Sequence, residues 1–172
     1  MHNGTRRLAS SMTLLVAMAA SDVEAQPASP GKRAPDIDLP TLTGGRFELS
    51  KLRGNAVVIS FWGTWCPPCR KEFPELVRVQ AEHGQAGLRV VAVNGRDQER
   101  SIKDVERFVQ AFPVSFPVAL DKRGSVRRAY RIEGQPTTVF IDPSGIVRKV
   151  HVGLIERDEL DKGIALILPS SG

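Results

Sequence analysis

Only two cysteines occur in the 172 residues, Cys66 and Cys69, and just two residues separate them. So short a loop constrains the unfolded chain very little, which excludes a disulfide framework that staples distant parts of a fold. Metal-binding side chains are equally scarce. The three histidines, His2, His83 and His151, stand apart from each other and from the cysteines, and no spacing completes the four ligands of a structural zinc site. No apolar run reaches the roughly 20 residues that a membrane span needs. The formal charge is +5, but basic residues are interleaved with acidic ones and no basic stripe carries aromatic residues, which argues against nucleic acid as a partner. The charge reads as solubility, with a mild preference for acidic partners. Internal repeats and low-complexity tracts are also missing.

What is present suits one domain: 41% hydrophobic and 25% charged residues over this length give a single core. At the start, Arg6 and Arg7 precede an apolar stretch from Leu8 to Ala20 and a small-residue site at Val23-Glu24-Ala25, the order of an export signal. Residues 1–25 are therefore expected to be a signal peptide, or a short membrane anchor, and residues 26–35, with three prolines, a linker. Residues 36–169 form the domain. No cysteine near the cleavage position means no lipid on an N-terminal cysteine. The expected location is periplasmic or secreted.

Within the domain, Ile37, Leu39, Phe47 and Leu49 flank Gly44-Gly45 as a hairpin. Ala56 to Trp62 is an almost unbroken apolar run rich in β-branched residues, as in a strand buried on both faces. A helix follows from about Cys66, bent at Pro74, with Phe73, Leu76, Val77, Gln80 and Ala81 on one face, ending near Gly84 or Gly87. Leu88 to Val93 is a second buried strand. Ser101 and Asp104 mark a cap for a helix turning Ile102, Val105, Val109 and Phe112 inward. Pro117 to Leu120 suits a short strand, and Asp121 caps a brief helix through Tyr130. Thr138 to Ile141 and Ile146 to Val152 pair across Asp142-Pro143-Ser144-Gly145, the second strand with Ile146, Val150 and Val152 on one face. A final helix runs from about Arg157 to Leu168, weakened by Gly163 and stopped by Pro169. This order is an α/β alternation.

The cysteine pair is explained by reactivity. A thiolate attacks disulfides, and free cysteine titrates near 8.5. At a helix N-terminus the macrodipole and unpaired backbone N–H groups stabilise the anion. Cys66 then attacks a partner disulfide and Cys69, one turn further in, resolves the mixed disulfide. Pro67 and Pro68 each remove an N–H that could bond the thiolate, which tilts the couple toward reduction, since strong oxidants have a stabilised reduced form.

Phe61-Trp62-Gly63-Thr64-Trp65-Cys66-Pro67-Pro68-Cys69-Arg70-Lys71-Glu72-Phe73-Pro74 resembles the active-site segment of the thioredoxin superfamily, in the periplasmic branch of TlpA, ResA and CcmG-like thiol–disulfide oxidoreductases. Ala34-Pro35-Asp36, Leu52-Arg53-Gly54, Val90 to Asn94, Phe116-Pro117-Val118 and Gly134-Gln135-Pro136-Thr137-Thr138 extend the resemblance over about residues 34–168. It implies a thioredoxin-like α/β fold, a central mixed sheet flanked by helices, with an N-terminal hairpin and a central insertion. It implies a cis Pro136 beside the cysteines, with the Gln135 backbone pairing to an extended substrate, and Glu72 assisting proton transfer to or from Cys69. The buried aspartate usual in cytosolic thioredoxins is replaced by Ser60, which leaves Glu72 as the candidate carboxylate. Gly63 replaces a more usual alanine, a change expected to matter little. Trp65, with Pro67, is expected to touch the partner, and Trp62 to pack in the core.

No cofactor and no metal are implied. The expected substrates are disulfides of exported proteins, apocytochrome c among them, with a membrane thiol carrier as electron donor and membrane association through the N-terminus as an option. The runner-up is a disulfide oxidase or isomerase on the same fold. A thiol peroxidase is disfavoured because the threonine and proline such an enzyme needs ahead of its cysteine are Gly63 and Ile59. A metal-binding module lacks ligands beyond the two cysteines.

Overall fold

The seven residues of β3, Ala56–Trp62, are all buried, and the sheet is built outward from them. A computed structural model describes residues 28–168, so the expected export signal and Pro169 lie outside the described residues. The chain forms β1 (Asp38–Pro40), β2 (Arg46–Glu48), β3, α1 (Pro67–His83), β4 (Leu88–Asn94), α2 (Ile102–Gln110), β5 (Val118–Leu120), α3 (Ser125–Ala129), β6 (Thr137–Ile141), β7 (Val147–Val152) and α4 (Arg157–Ala165). β1 and β2 form the expected antiparallel hairpin, and the other strands make one sheet in the order β5-β4-β3-β6-β7. β3 runs parallel to β4 and antiparallel to β6, so the sheet is mixed, with its parallel pairs on one side of β3 and its antiparallel pairs on the other. Among the described residues no helix is long and apolar enough to cross a membrane.

Two cores follow from the period-two alternation of a strand. Val58 and Trp62 face α1, α2 and α4, packing with Phe73, Leu76, Phe108 and Ile164. Val57, Ile59 and Phe61 face the hairpin and α3, packing with Ile37, Phe47 and Tyr130. Trp62, Phe73 and Phe108 meet with ring centroids 4.5–4.9 Å apart, which locks β3, α1 and α2 together directly below the first turn of α1.

Several expectations are corrected in detail. α1 includes Pro74 within its span, and its inward face carries Cys69, Glu72, Phe73, Leu76 and Val79, whereas Ala81, expected inward, is exposed. Gln80 sits at the margin because its Oε1 accepts the Val90 amide (2.8 Å), tying the helix to β4. α2 buries Phe108 more completely than Ile102, Val109 or Phe112. In β7 a register shift opposite Phe140 and Ile141 interrupts the alternation, so Val147 is buried and Val152 exposed. The stretch read as linker docks on the domain: Gly31 N–H donates to Val147 O and Ala34 N–H to Gly145 O. α4 ends at Ala165, and the Leu168 amide still bonds Ile164 O (2.9 Å) in the turn that follows.

Gly163 has a packing reason. A Cβ there would lie 2.3 Å from the Phe140 ring, so α4 approaches the sheet at a distance only glycine permits. Gly163→Ala gains up to about 1 kcal/mol of helix propensity but overpacks a rigid ring, which costs about 1–3 kcal/mol. We expect the overpacking to win, with a lower urea midpoint than the wild type; a higher midpoint would show that α4 can lift off Phe140 freely.

Candidate active site

β3 ends at Trp62 and hands the chain to the loop 63–66, from which α1 starts. Cys66 is the N-cap of α1, extended in backbone, and its Sγ accepts the Cys69 amide at 3.2 Å. Pro67 and Pro68 occupy the first two helical positions, so Cys69 supplies the first amide N–H of the helix that can reach the sulfur. The two cysteines are disulfide-bonded, and both are buried, with Pro67 and Pro68 exposed over them.

Across from the disulfide, the Gln135–Pro136 peptide is cis. Thr137 Oγ1 donates to Gly134 O, and Gly153 N–H donates to Pro136 O, which fixes the loop on both sides of the proline. The Gln135 backbone is engaged by no other backbone group among the described residues. Trp65 is 53% exposed and folds back over Gly63. Contrary to expectation, the glycine matters: a Cβ at Gly63 would lie 2.7 Å from Trp65 Nε1 and 2.9 Å from Gln135 Oε1. Gly63 therefore lets the indole lie flat between the cysteine loop and the proline loop. Trp62 is in the core, as expected.

Glu72 is 1% exposed, one helical turn below Cys69 on the buried face of α1. Its Oε1 accepts Ser60 Oγ (2.8 Å) and Thr138 Oγ1 (3.2 Å), and its Oε2 makes no hydrogen bond. Burial pushes the carboxyl above its ordinary range; the two hydroxyls and the Ile155 backbone offset part of that rise. Ser60 and Thr138 thus belong to the site although Ser60 had been read only as a missing aspartate. They are the polar interruptions of two otherwise apolar buried strands, a signal visible in sequence.

Glu99 is a site residue that sequence reasoning missed. From the loop after β4 its carboxylate accepts Thr64 N–H (2.7 Å), Thr64 Oγ1 and Asn94 Nδ2 (2.9 Å), which anchors the residue two before Cys66. The same loop reaches the proline side, where Gln135 Nε2 donates to Gln98 Oε1 at 3.4 Å, and α3, where Arg127 pairs with Asp97 at 3.1 Å. Nothing in the spacing of Glu99 announces a contact 35 residues away.

Residues 30–150 match the AhpC/TSA family. The chain belongs to this family. Among its relatives, the thioredoxin-like protein YneN of Bacillus subtilis is 37% identical over 79% of both chains, and the thiol-disulfide oxidoreductase ResA of the same organism is 38% identical over 82% of this chain and 77% of its own. A Chlorobium tepidum chain assigned as the thiol:disulfide interchange protein DsbE has the same fold, with a TM-score of 0.75 and 37% identity over 82% of this chain and 99% of that one. The fold is thioredoxin-like and the protein is a thiol–disulfide oxidoreductase.

The raised pKa of Glu72 has a measurable sign. Between the unfolded and folded pKa values the native state binds more protons than the unfolded one, so stability is greatest below the unfolded value near 4.5 and declines as pH rises through the folded value. Unfolding of the oxidised protein in urea from pH 4 to 8 should show this decline, and Glu72→Gln should flatten it. A decline of equal slope in the variant would assign it to other groups.

Proposed function

We propose that the protein is a reductant of disulfides in exported proteins, apocytochrome c among them, and that a membrane thiol carrier returns it to the dithiol state. The observation that carries the direction is the pair of prolines at the first two positions of α1, which leaves the Cys69 amide as the nearest helical donor to Cys66 Sγ. A thiolate with few donors is less stabilised, so the dithiol gives up its electrons more readily. The export-signal pattern of residues 1–25 supports a substrate outside the cytoplasm.

In the reaction, Cys66 thiolate attacks one sulfur of the substrate disulfide, forming a mixed disulfide and expelling the first substrate thiolate. Cys69 then loses its proton and attacks Cys66 Sγ, releasing the second substrate thiolate and leaving the Cys66–Cys69 disulfide. Two electrons pass to the substrate. Glu72 is the proton acceptor for Cys69 in this reading, since it is the buried carboxyl on the same helix face and has an oxygen free of hydrogen bonds. The substrate strand pairs with the Gln135 backbone beside Pro136, and Trp65 and Pro67 cover its apolar side chains. A peroxidase reading gains nothing from the site: Gly63 is required by Trp65, and Ile59 is buried in β3.

Equilibration with glutathione measures the direction. A reductant lies near thioredoxin at about −270 mV, and a value near DsbA at about −120 mV would overturn the proposal. In the native compartment, Cys69→Ala should trap exported proteins as mixed disulfides on Cys66. Glu72→Gln should slow the resolving step on the order of 10²-fold at neutral pH, with mixed disulfide accumulating in quenched-flow samples; an unchanged rate would remove Glu72 from the proton path.

A further inference from the structure

Beside the cysteine loop, a cleft of about 590 Å³ opens between the start of α1 and α2, with Gln98, which bonds Gln135, at its margin. Trp65 and Thr64 form one wall, and Arg70, Arg100, Arg107 and Phe108 line the rest. Its charges are unbalanced. Glu99 is buried and already bonded to Thr64 and Asn94, and Asp104 is held by Ser101 and by Arg107. Among the described residues Arg70 and Arg100 make no salt bridge, although Arg100 is near enough to Asp104 to help hold its carboxyl below the ordinary range; the three arginines outnumber the two acids of the lining. The Arg70 guanidinium carbon lies 4.4 Å from the centre of the Phe108 ring, so the cation packs over an aromatic residue of the core. A guanidinium placed there and in no salt bridge has N–H donors to offer a carboxylate.

We infer that this cleft binds acidic side chains flanking the reactive cysteine of the protein substrate. The inference rests on the reading that the chain acts on protein disulfides and adds which of them it prefers. Three arginines line a cleft that shares Trp65 with the cysteine loop, so a segment whose sulfur reaches Cys66 passes the cleft within a few residues. The proline loop is different: Val152, 68% exposed, lies next to Gly134 and offers an apolar contact and no charge. A substrate segment is therefore read from two ends, apolar toward Pro136 and acidic toward α2. Attraction from exposed arginines acts mainly on association rate and is screened by salt.

The test uses the reduced full-length protein and two disulfide-bridged peptides that differ only in carrying aspartates or lysines next to the cysteine. Stopped-flow fluorescence gives both rates, and their ratio cancels any change in the intrinsic reactivity of Cys66. We expect the wild type to prefer the acidic peptide roughly 10-fold at low ionic strength. The preference should collapse at 0.5 M salt, where the Debye length lies between about 3 and 8 Å, and reverse in Arg100→Glu/Arg107→Glu. Arg100→Gln alone should reduce it in the same direction, which covers the case in which the double variant fails to fold. Equal ratios in the wild type and the Arg100→Gln variant overturn the inference while leaving the reductase intact. A charge effect confined to glutathione disulfide, and missing from the peptides, overturns it as well. Failure of the wild type to reduce either peptide or the uncharged hydroxyethyl disulfide overturns the reductase reading, and this inference with it.

Discussion

The hydrogen bond from the Cys69 amide to Cys66 Sγ is the contact on which the rest of the site depends. A helix end leaves its first amides without partners, and a sulfur placed at the N-cap is met by them and by the positive end of the macrodipole. For this to happen the chain has to leave a buried strand and enter a helix within four residues. β3 makes that possible because it is anchored by strands on both sides, and the Trp62, Phe73 and Phe108 rings fix the angle at which α1 starts. The prolines supply helical φ without supplying donors. Geometry and donor poverty therefore come from the same two residues, which is the physical basis of the proposed reductant role.

The carboxylate below the pair works against stability. Ionised Glu72 sits among apolar side chains, and a buried charge is costly unless hydrogen bonds replace its water. Ser60 and Thr138 bond only one of its oxygens. A fully satisfied carboxylate would be a better structural element and a poorer base, since each hydrogen bond to the anion lowers its affinity for a proton. The incomplete shell suits the proposed role of Glu72 as proton acceptor, since local concessions of this kind are made where chemistry is done.

Much of this was legible in the sequence, for reasons that differ from element to element. β3 stood out because a strand covered on both faces has no polar residues to spare, and its bounds follow from that alone. The cysteine motif was legible because two residues with no structural duty demand a chemical one. The apolar spacing alone extends the inward face of α1 to Ala81, which is exposed, because that face is set by Cys69, Glu72 and Val79, and the buried Glu72 carboxyl, already a candidate for the site, is received by two strand hydroxyls. β7 was misread because a bulge shifts the alternation by one residue without changing the composition. Gly63 and Gly163 carried no signal, since the need for a missing Cβ arises from the Trp65 indole and the Phe140 ring, which approach only in the folded chain.

Glu99 illustrates the deeper limit. Local pattern reports which face of an element is buried, but not which loop closes on which. The loop between β4 and α2 reaches Thr64 through Glu99, Gln135 through Gln98 and Arg127 through Asp97, so one short segment spans both walls of the site. In the proposed reaction the cysteine motif sets the direction in which electrons are offered, and the partner meets walls that sequence neighbours of the cysteines do not build. A change in that loop can therefore alter partner choice while Cys66, Pro67, Pro68 and Cys69 stay the same, and relatives with the same motif need not share a substrate.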